Sequence, residues 1–163
     1  MARPPLRIAS ARSPADLDAA RTLFAAYAAS LGVDLSYQGF EAELAALPGA
    51  YAPPSGALLL ARAAEGGEPL GCVAVRPMDA PGCCEMKRFY VSPAARGLGL
   101  GRALLDAAVE AARTMGHREM RLDTLPFMSA AAALYRRAGF VEVAPYYHTP
   151  VAGTLFMARD LTT

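Results

Sequence analysis

VSPAARGLGLGRALL, residues 91–105, lies between two differently patterned stretches. Before it, CCEMKRFYV (83–91) reads as a strand. After it, Leu104, Leu105, Ala108, Val109 and Ala112 recur at helical spacing and stop near Gly116. Between them, Gly97, Gly99 and Gly101 alternate with Leu98 and Leu100, and Arg96 and Arg102 stand on either side. A strand that runs through glycines into a helix start presents unbonded backbone amides to an anion. The glycines admit close approach, and arginine adds charge-assisted hydrogen bonds. The loop reads as a phosphate holder; the alternative is a glycine-rich turn that only connects two elements.

Two familiar phosphate loops do not fit it. The dinucleotide fingerprint G-x-G-x-x-G that begins at Gly97 and Gly99 needs glycine where Arg102 stands. The Walker pattern needs Gly-Lys-Ser/Thr, and Lys87 is the sole lysine of the chain.

Outward from the loop, the chain alternates strands and helices. LRIA near Leu6 is a short strand. Ser13 caps a helix with Pro14 in its first turn and Asp16 at its positive end; its stripe is Leu17, Arg21, Phe24, Tyr27 and Leu31, and it ends near Gly32. A shorter helix covers residues 39–47. Residues 57–63 and 70–77 form a hairpin around Glu65-Gly66-Gly67-Glu68, and Pro81-Gly82 turns the chain into 83–91. Residues 120–124 are a strand and 126–138 a helix stopped by Gly139. The segments 140–143 and 154–161 are the last strands, joined by the aromatic loop APYYHTPVAG. No repeat or linker interrupts this order, so residues 1–163 read as one α/β domain.

Composition narrows the functions. With 54% apolar and 19% charged residues, the chain has the makings of a packed core rather than of disorder. A net charge of +1 is too balanced for a nucleic-acid binder that lives on phosphate contacts. Cys72, Cys83 and Cys84 lack the spacing of a metal site and suit reduced thiols in a cytoplasm. The N-terminal MARPPLRIAS holds no apolar run of the kind a leader needs, and no stretch reads as a membrane span. The expectation is a cytoplasmic protein without metal, membrane or nucleic acid, and the apolar composition is compatible with a homodimer.

Arg96-Gly97-Leu98-Gly99-Leu100-Gly101 matches Arg/Gln-x-x-Gly-x-Gly/Ala, and Ala133-Leu134-Tyr135-Arg136-Arg137-Ala138-Gly139-Phe140 matches A-L-Y-x-x-x-G-F. In these motifs and their interval, from about Cys83 to Phe140, the chain resembles the GNAT acyltransferase superfamily. The resemblance implies an α/β (α+β) fold: a mixed, mostly antiparallel sheet with two central parallel strands that splay apart, flanked by helices. It implies acetyl-CoA as co-substrate, with its pyrophosphate on the amides from Gly97 to Arg102. Its pantetheine arm would lie between strands 83–91 and 120–124, paired with the backbone of Phe89 and Val91. A backbone amide near Tyr90 or Val91 would receive the oxyanion.

Moving an acetyl group from a thioester to an amine requires a base, an oxyanion donor and an acid for the thiolate. Glu85 is the candidate base. Lying six residues before Val91, it is expected on the same face of the strand, and histone-acetylating members of the superfamily carry a glutamate at the matching place. The alternative for Glu85 is an ion pair, with Lys87 as a partner on that face. Tyr135 is the candidate acid, the role its counterpart has in many members; a core aromatic is the alternative. Asp123 and Thr124 could contact the acceptor amine or pantetheine, or cap the strand end. His148, in the aromatic loop, is a candidate acceptor contact, and His117 reads as an exposed turn residue. With no acidic run to receive a basic peptide, a small-molecule amine is the expected acceptor. The competing readings are a peptide or protein N-acetyltransferase, a non-catalytic acyl-CoA sensor and an unrelated nucleotide-binding domain.

Overall fold

The computed structural model describes residues 6–63 and 67–163. Its strands are β1 (Leu6–Ser10), β2 (Ala57–Ala63), β3 (Pro69–Pro77), β4 (Cys83–Val91), β5 (Glu119–Thr124), β6 (Val141–Val143) and β7 (Leu155–Asp160). Its helices are α1 (Pro14–Leu31), α2 (Phe40–Ala46), α3 (Leu100–Thr114) and α4 (Ser129–Arg137). Each expected element is present. Of the hairpin turn, Glu65 and Gly66 lie outside the described residues, as does the start of the N-terminal segment.

The local chemistry explains the helix ends. At α1, the Asp16 amide donates to Ser13 Oγ at 3.1 Å while the Ser13 amide donates to Asp16 Oδ2 at 3.4 Å, a reciprocal capping box. Gly32 ends that helix at φ 62, in the left-handed region open to glycine. One boundary differs from expectation. α4 begins at Ser129, not at Pro126, because the Met128 amide donates to Leu125 O at 3.0 Å and closes a turn over Pro126 and Phe127. Proline at the second position of a turn serves that geometry as well as it serves a helix start.

The seven strands form one sheet in the order β1-β2-β3-β4-β5-β7-β6. All neighbours are antiparallel except β4 and β5. This is the mixed, mostly antiparallel sheet implied by the motifs. The parallel pair is in register only at Cys83–Glu119, Cys84–Met120 and Glu85–Arg121; beyond it both strands continue unpaired with each other. Hydrophobic layers cover both faces. Val73, Val75, Cys84 and Met86 pack with Leu104, Leu105 and Val109 of α3 and with Tyr135 of α4. Leu58, Leu60, Cys72 and Ala74 pack with Ala20, Leu23 and Phe24 of α1 and with Phe40 of α2.

β4 carries a bulge. Ala74 opposes Lys87 and Cys72 opposes Tyr90, so Arg88 and Phe89 share the span of Val73. Arg88 adopts φ 57, a left-handed value rare outside glycine. The extra residue shifts the strand's alternation by one. Cys84 and Met86 face the α3 layer, and so do Phe89 and Val91. Glu85, Lys87 and Tyr90 face the α1 layer, where Glu85 meets Arg76, Lys87 meets Gln38 and Tyr90 packs with Tyr27. Glu85 therefore does not share a face with Val91. Counting by twos along the sequence misses the inserted residue.

Candidate active site

The glycine loop reaches α3 through two left-handed residues, Gly97 at φ 80 and Gly99 at φ 79. The first helical bond of α3 runs from the Ala103 amide to Gly99 O, so the amides just before it have no acceptor within the helix. Gly101 is helical, and a Cβ there would meet Phe89 and Leu134 at ordinary distances of 3.5 and 3.6 Å. Arg96 turns back to donate to Val91 O at 3.2 Å. Arg102 pairs along the helix with Asp106 at 3.0 Å and is half-exposed.

A cleft opens where β4 and β5 part. Its inner section is lined by Met86, Lys87, Asp123, Thr124 and Tyr135, with Tyr27, Tyr37 and Gln38 from the α1 side. Its outer section runs past Tyr90, Val91, Leu134 and Arg96 toward the loop. Tyr27, Phe89 and Met128 line both sections, which therefore adjoin one another between the loop and the separation of the strands.

Tyr135 sits at the inner section with 4% exposure, its ring edge-on to Phe89 and tilted against Phe140, both at 5.9 Å. Burial pushes its phenol above the usual tyrosine range, so the ring stays protonated. It is thus both a core aromatic and a cleft wall. Thr124 Oγ1 is buried without a hydrogen-bond partner. Asp123 accepts a bond from Tyr147 Oη at 2.5 Å on its Oδ2.

Glu85 is 1% exposed and lies behind the cleft rather than in its lining. Arg76 contacts Glu85 Oε1 through Nε at 2.8 Å and Nη2 at 2.7 Å, and Tyr146 Oη donates to Oε2 at 2.6 Å. Lys87 Nζ is 3.9 Å from Oε1. The ion pair held open as an alternative for Glu85 is present, with Arg76 rather than Lys87 as its close partner. Arg88 is held by both oxygens of Glu43, at 2.8 and 3.0 Å, and lies 5.0 Å over the Phe40 ring. Burial pulls Lys87 below the ordinary lysine range, and Glu85 opposes that shift.

The aromatic loop is anchored by its tyrosines, not by its histidine. The rings of Tyr146, Tyr147 and Phe156 meet pairwise at 5.1–5.6 Å, and their hydroxyls tie the loop to Glu85 and Asp123. His148 is exposed and outside the cleft lining, so the structure does not bring it to the site. His117 is half-buried rather than exposed, with Nε2 2.8 Å from Ser55 O. Sequence reading missed Tyr27, Tyr37 and Gln38, which reach the cleft from α1 and the turn after it with no local motif. Tyr146 and Tyr147 were visible as an aromatic cluster, but their carboxylate partners are long-range.

A mixed sheet whose one parallel pair parts beside a glycine-rich helix start defines an acyltransferase fold of the expected kind. Residues 20–140 match the model of the Acetyltransferase (GNAT) family. An uncharacterized N-acetyltransferase of Schizosaccharomyces pombe is 41% identical over 157 residues, covering 96% of each chain. The IAA acetyltransferase of Azospirillum brasilense is 35% identical over 111 residues, 68% of this chain and 71% of its own. A GNAT-family acetyltransferase structure from Staphylococcus aureus superposes with a TM-score of 0.79 at 18% identity, over 97% of this chain and all of the other. The chain belongs to the GNAT acetyltransferase family.

Proposed function

We propose that the protein transfers an acetyl group from acetyl-CoA to the primary amine of a small molecule. The observation that carries this reading is the pair of adjoining hollows between the glycine loop and the parting of β4 and β5, with Tyr135 and Asp123 in the wall of the inner one. Acetyl-CoA would supply an acyl group activated as a thioester. The unbonded amides before Ala103 would hold its pyrophosphate, with Arg96 and Arg102 adding positive charge. The amide edge of β4 left unpaired beyond Glu85 would hydrogen-bond the pantetheine arm and the carbonyl oxygen, near Phe89, Tyr90 and Val91.

In the transfer, the amine nitrogen bonds to the acetyl carbon and the carbon–sulfur bond breaks, with sulfur keeping the electron pair. Asp123 receives the incoming ammonium and takes its first proton, which frees the amine to attack. Tyr135 gives its hydroxyl proton to the departing sulfur and regains one from the nitrogen as the amide forms, so the second N–H proton ends on the thiol. The dry surroundings that raise this phenol raise a thiol there as well, which keeps the two matched. Glu85 serves in this reading as a positioning residue, holding the aromatic loop through Tyr146. Thr124 offers its spare hydroxyl to the bound substrate. Three free, buried cysteines accord with a reducing compartment.

Calorimetric titration with acetyl-CoA, with ATP and NAD as parallel ligands, tests the reading without knowledge of the acceptor. Selective binding of acetyl-CoA is expected; binding of neither acetyl-CoA nor another acyl-CoA would refute it. Once an acceptor is in hand, Tyr135→Phe should lower kcat about 10- to 100-fold with acetyl-CoA affinity kept. An unchanged rate would remove Tyr135 from the chemistry.

A further inference from the structure

We propose that the acceptor is an amine that also carries a carboxylate, an amino acid or a close relative, and that Lys87 is the residue that selects it. The inference rests on the acetyl-transfer reading above and adds the chemical class of the acceptor.

Lys87 is the cation of the inner cleft whose bonding to the described residues is left incomplete. An ammonium has three hydrogens to place. The Lys87 side chain is 5% exposed and lines the inner section of the cleft. Among the described residues its one hydrogen bond, at 3.3 Å, goes to Gln38 Oε1, which Arg88 already holds at 2.7 Å. The nearest carboxylate oxygen, Glu85 Oε1, is 3.9 Å away and is taken by Arg76 at 2.7 Å. Arg88, its neighbour in the bulge, has both oxygens of Glu43. A buried cation with one long bond is costly, and an anion placed against it recovers that cost.

Of the carboxylates that act on Lys87, Glu85 is held by Arg76, and Asp123 is assigned to the acceptor's ammonium, so an anion to pair with Lys87 would come with the substrate. The pyrophosphate site implied by the glycine loop is at the outer end, beside Val91 and Arg96, whereas Lys87 is at the inner end with Asp123 and Thr124. Asp123 supplies the complementary charge. One of its oxygens, Oδ2, is bonded to Tyr147, which leaves Oδ1 to receive an ammonium. Thr124 Oγ1, buried and without a partner, lies on the same strand next to Asp123 and can bond either group. One cleft thus presents a cation short of an anion, a carboxylate with a free oxygen and a spare hydroxyl. That set matches a molecule with separated ammonium and carboxylate. A polyamine or other dication would set a second positive charge near Lys87 and be disfavoured.

The test is an acceptor series run with saturating acetyl-CoA and thiol release as the readout. It compares the standard L-amino acids and short ω-amino acids with their amides and with decarboxylated counterparts such as isoamylamine and phenethylamine. At least one acid should exceed its own amide and amine in kcat/KM by about tenfold or more. Lys87→Met should then lower that acid-to-amide ratio about 10- to 100-fold, the range of one hydrogen bond to a charged group, mainly through KM of the acid. Lys87→Arg, which keeps the charge, should retain part of the preference, and thermal melts of both variants separate this effect from misfolding. Equal or better use of amides and plain amines would overturn the proposal, as would a Lys87→Met ratio equal to wild type. So would failure of every acid in the series while acetyl-CoA still binds. Failure of acetyl-CoA itself to bind would instead refute the underlying reading.

Discussion

Arg76 on β3 grips Glu85 on β4 directly across the sheet: the two are register partners, and two guanidinium nitrogens reach one carboxylate oxygen at 2.8 and 2.7 Å. With Tyr146 on the other oxygen, neither carboxylate atom is left for an incoming amine. Glu85→Gln removes the charge and keeps the shape. It should destabilise the fold by about 1–3 kcal/mol, read as a lower melting temperature, and lower kcat by less than about tenfold. Asp123→Asn should lower kcat about 100-fold. If Glu85→Gln lost about 100-fold in kcat and Asp123→Asn did not, Glu85 would be the base after all.

The loop glycines are not equivalent. Gly99 at φ 79 needs the left-handed conformation, so Gly99→Ala should cost about 1–2 kcal/mol and weaken acetyl-CoA binding in calorimetry. Gly101 is helical with room for a methyl group, so Gly101→Ala should hold or raise stability by up to about 1 kcal/mol in denaturant unfolding. Equal losses at both positions would contradict this division.

The buried hydroxyl of Thr124 has no partner in the free protein. Thr124→Val replaces it with a methyl group of similar size. Melting of the unliganded protein should stay the same or rise, because no bond is lost. The acceptor KM should rise about three- to tenfold, since the hydroxyl's use is with ligand. A lower melting temperature with unchanged KM would assign Thr124 to structure alone.

Alkali should unfold the protein cooperatively. Burial raises Tyr27 to about 12 and pushes Tyr135, Tyr146 and Tyr147 upward as well. A group with a raised folded pKa keeps its proton in the fold after the unfolded chain has lost it. Its stabilisation is whole below the unfolded value near ~10 and drains away as pH rises through the folded value. Lys87 runs the other way: its folded pKa is lowered, so between that value and 10.5 the unfolded chain binds more protons and stability rises with pH. Urea midpoints should therefore hold or increase up to about pH 10 and fall beyond it, with tyrosinate absorbance appearing together with unfolding. Tyrosinate well ahead of unfolding would show these phenols to be open to solvent.

Much of this site was legible in the order of the residues. A strand, a glycine loop and an amphipathic helix follow one another without interruption, so period and turn chemistry alone place Gly97, Gly99 and the start of α3. Tyr135, which lines the cleft, was singled out by the resemblance of the local run Ala133–Phe140 to A-L-Y-x-x-x-G-F. The position of Glu85 was not legible. Its face depends on one surplus residue near Arg88, and a bulge has no signature when the left-handed residue is an arginine. Its partners Arg76 and Tyr146 depend on strand register and on the path of a loop, both long-range properties. The start of α4 was misjudged because Pro126 suits a turn and a helix equally.

The surplus residue in β4 gives that strand two addresses. Up to Lys87 it obeys one alternation and past Arg88 the opposite one, so a single stretch of chain sends Lys87 and Arg88 toward α1 and α2 and Phe89 and Val91 toward α3. Deleting one residue there would reset the phase, turn Phe89 and Val91 toward α1 and set Tyr90 into the α3 layer. In the proposed reaction, the two substrates would meet where the ladder skips a rung.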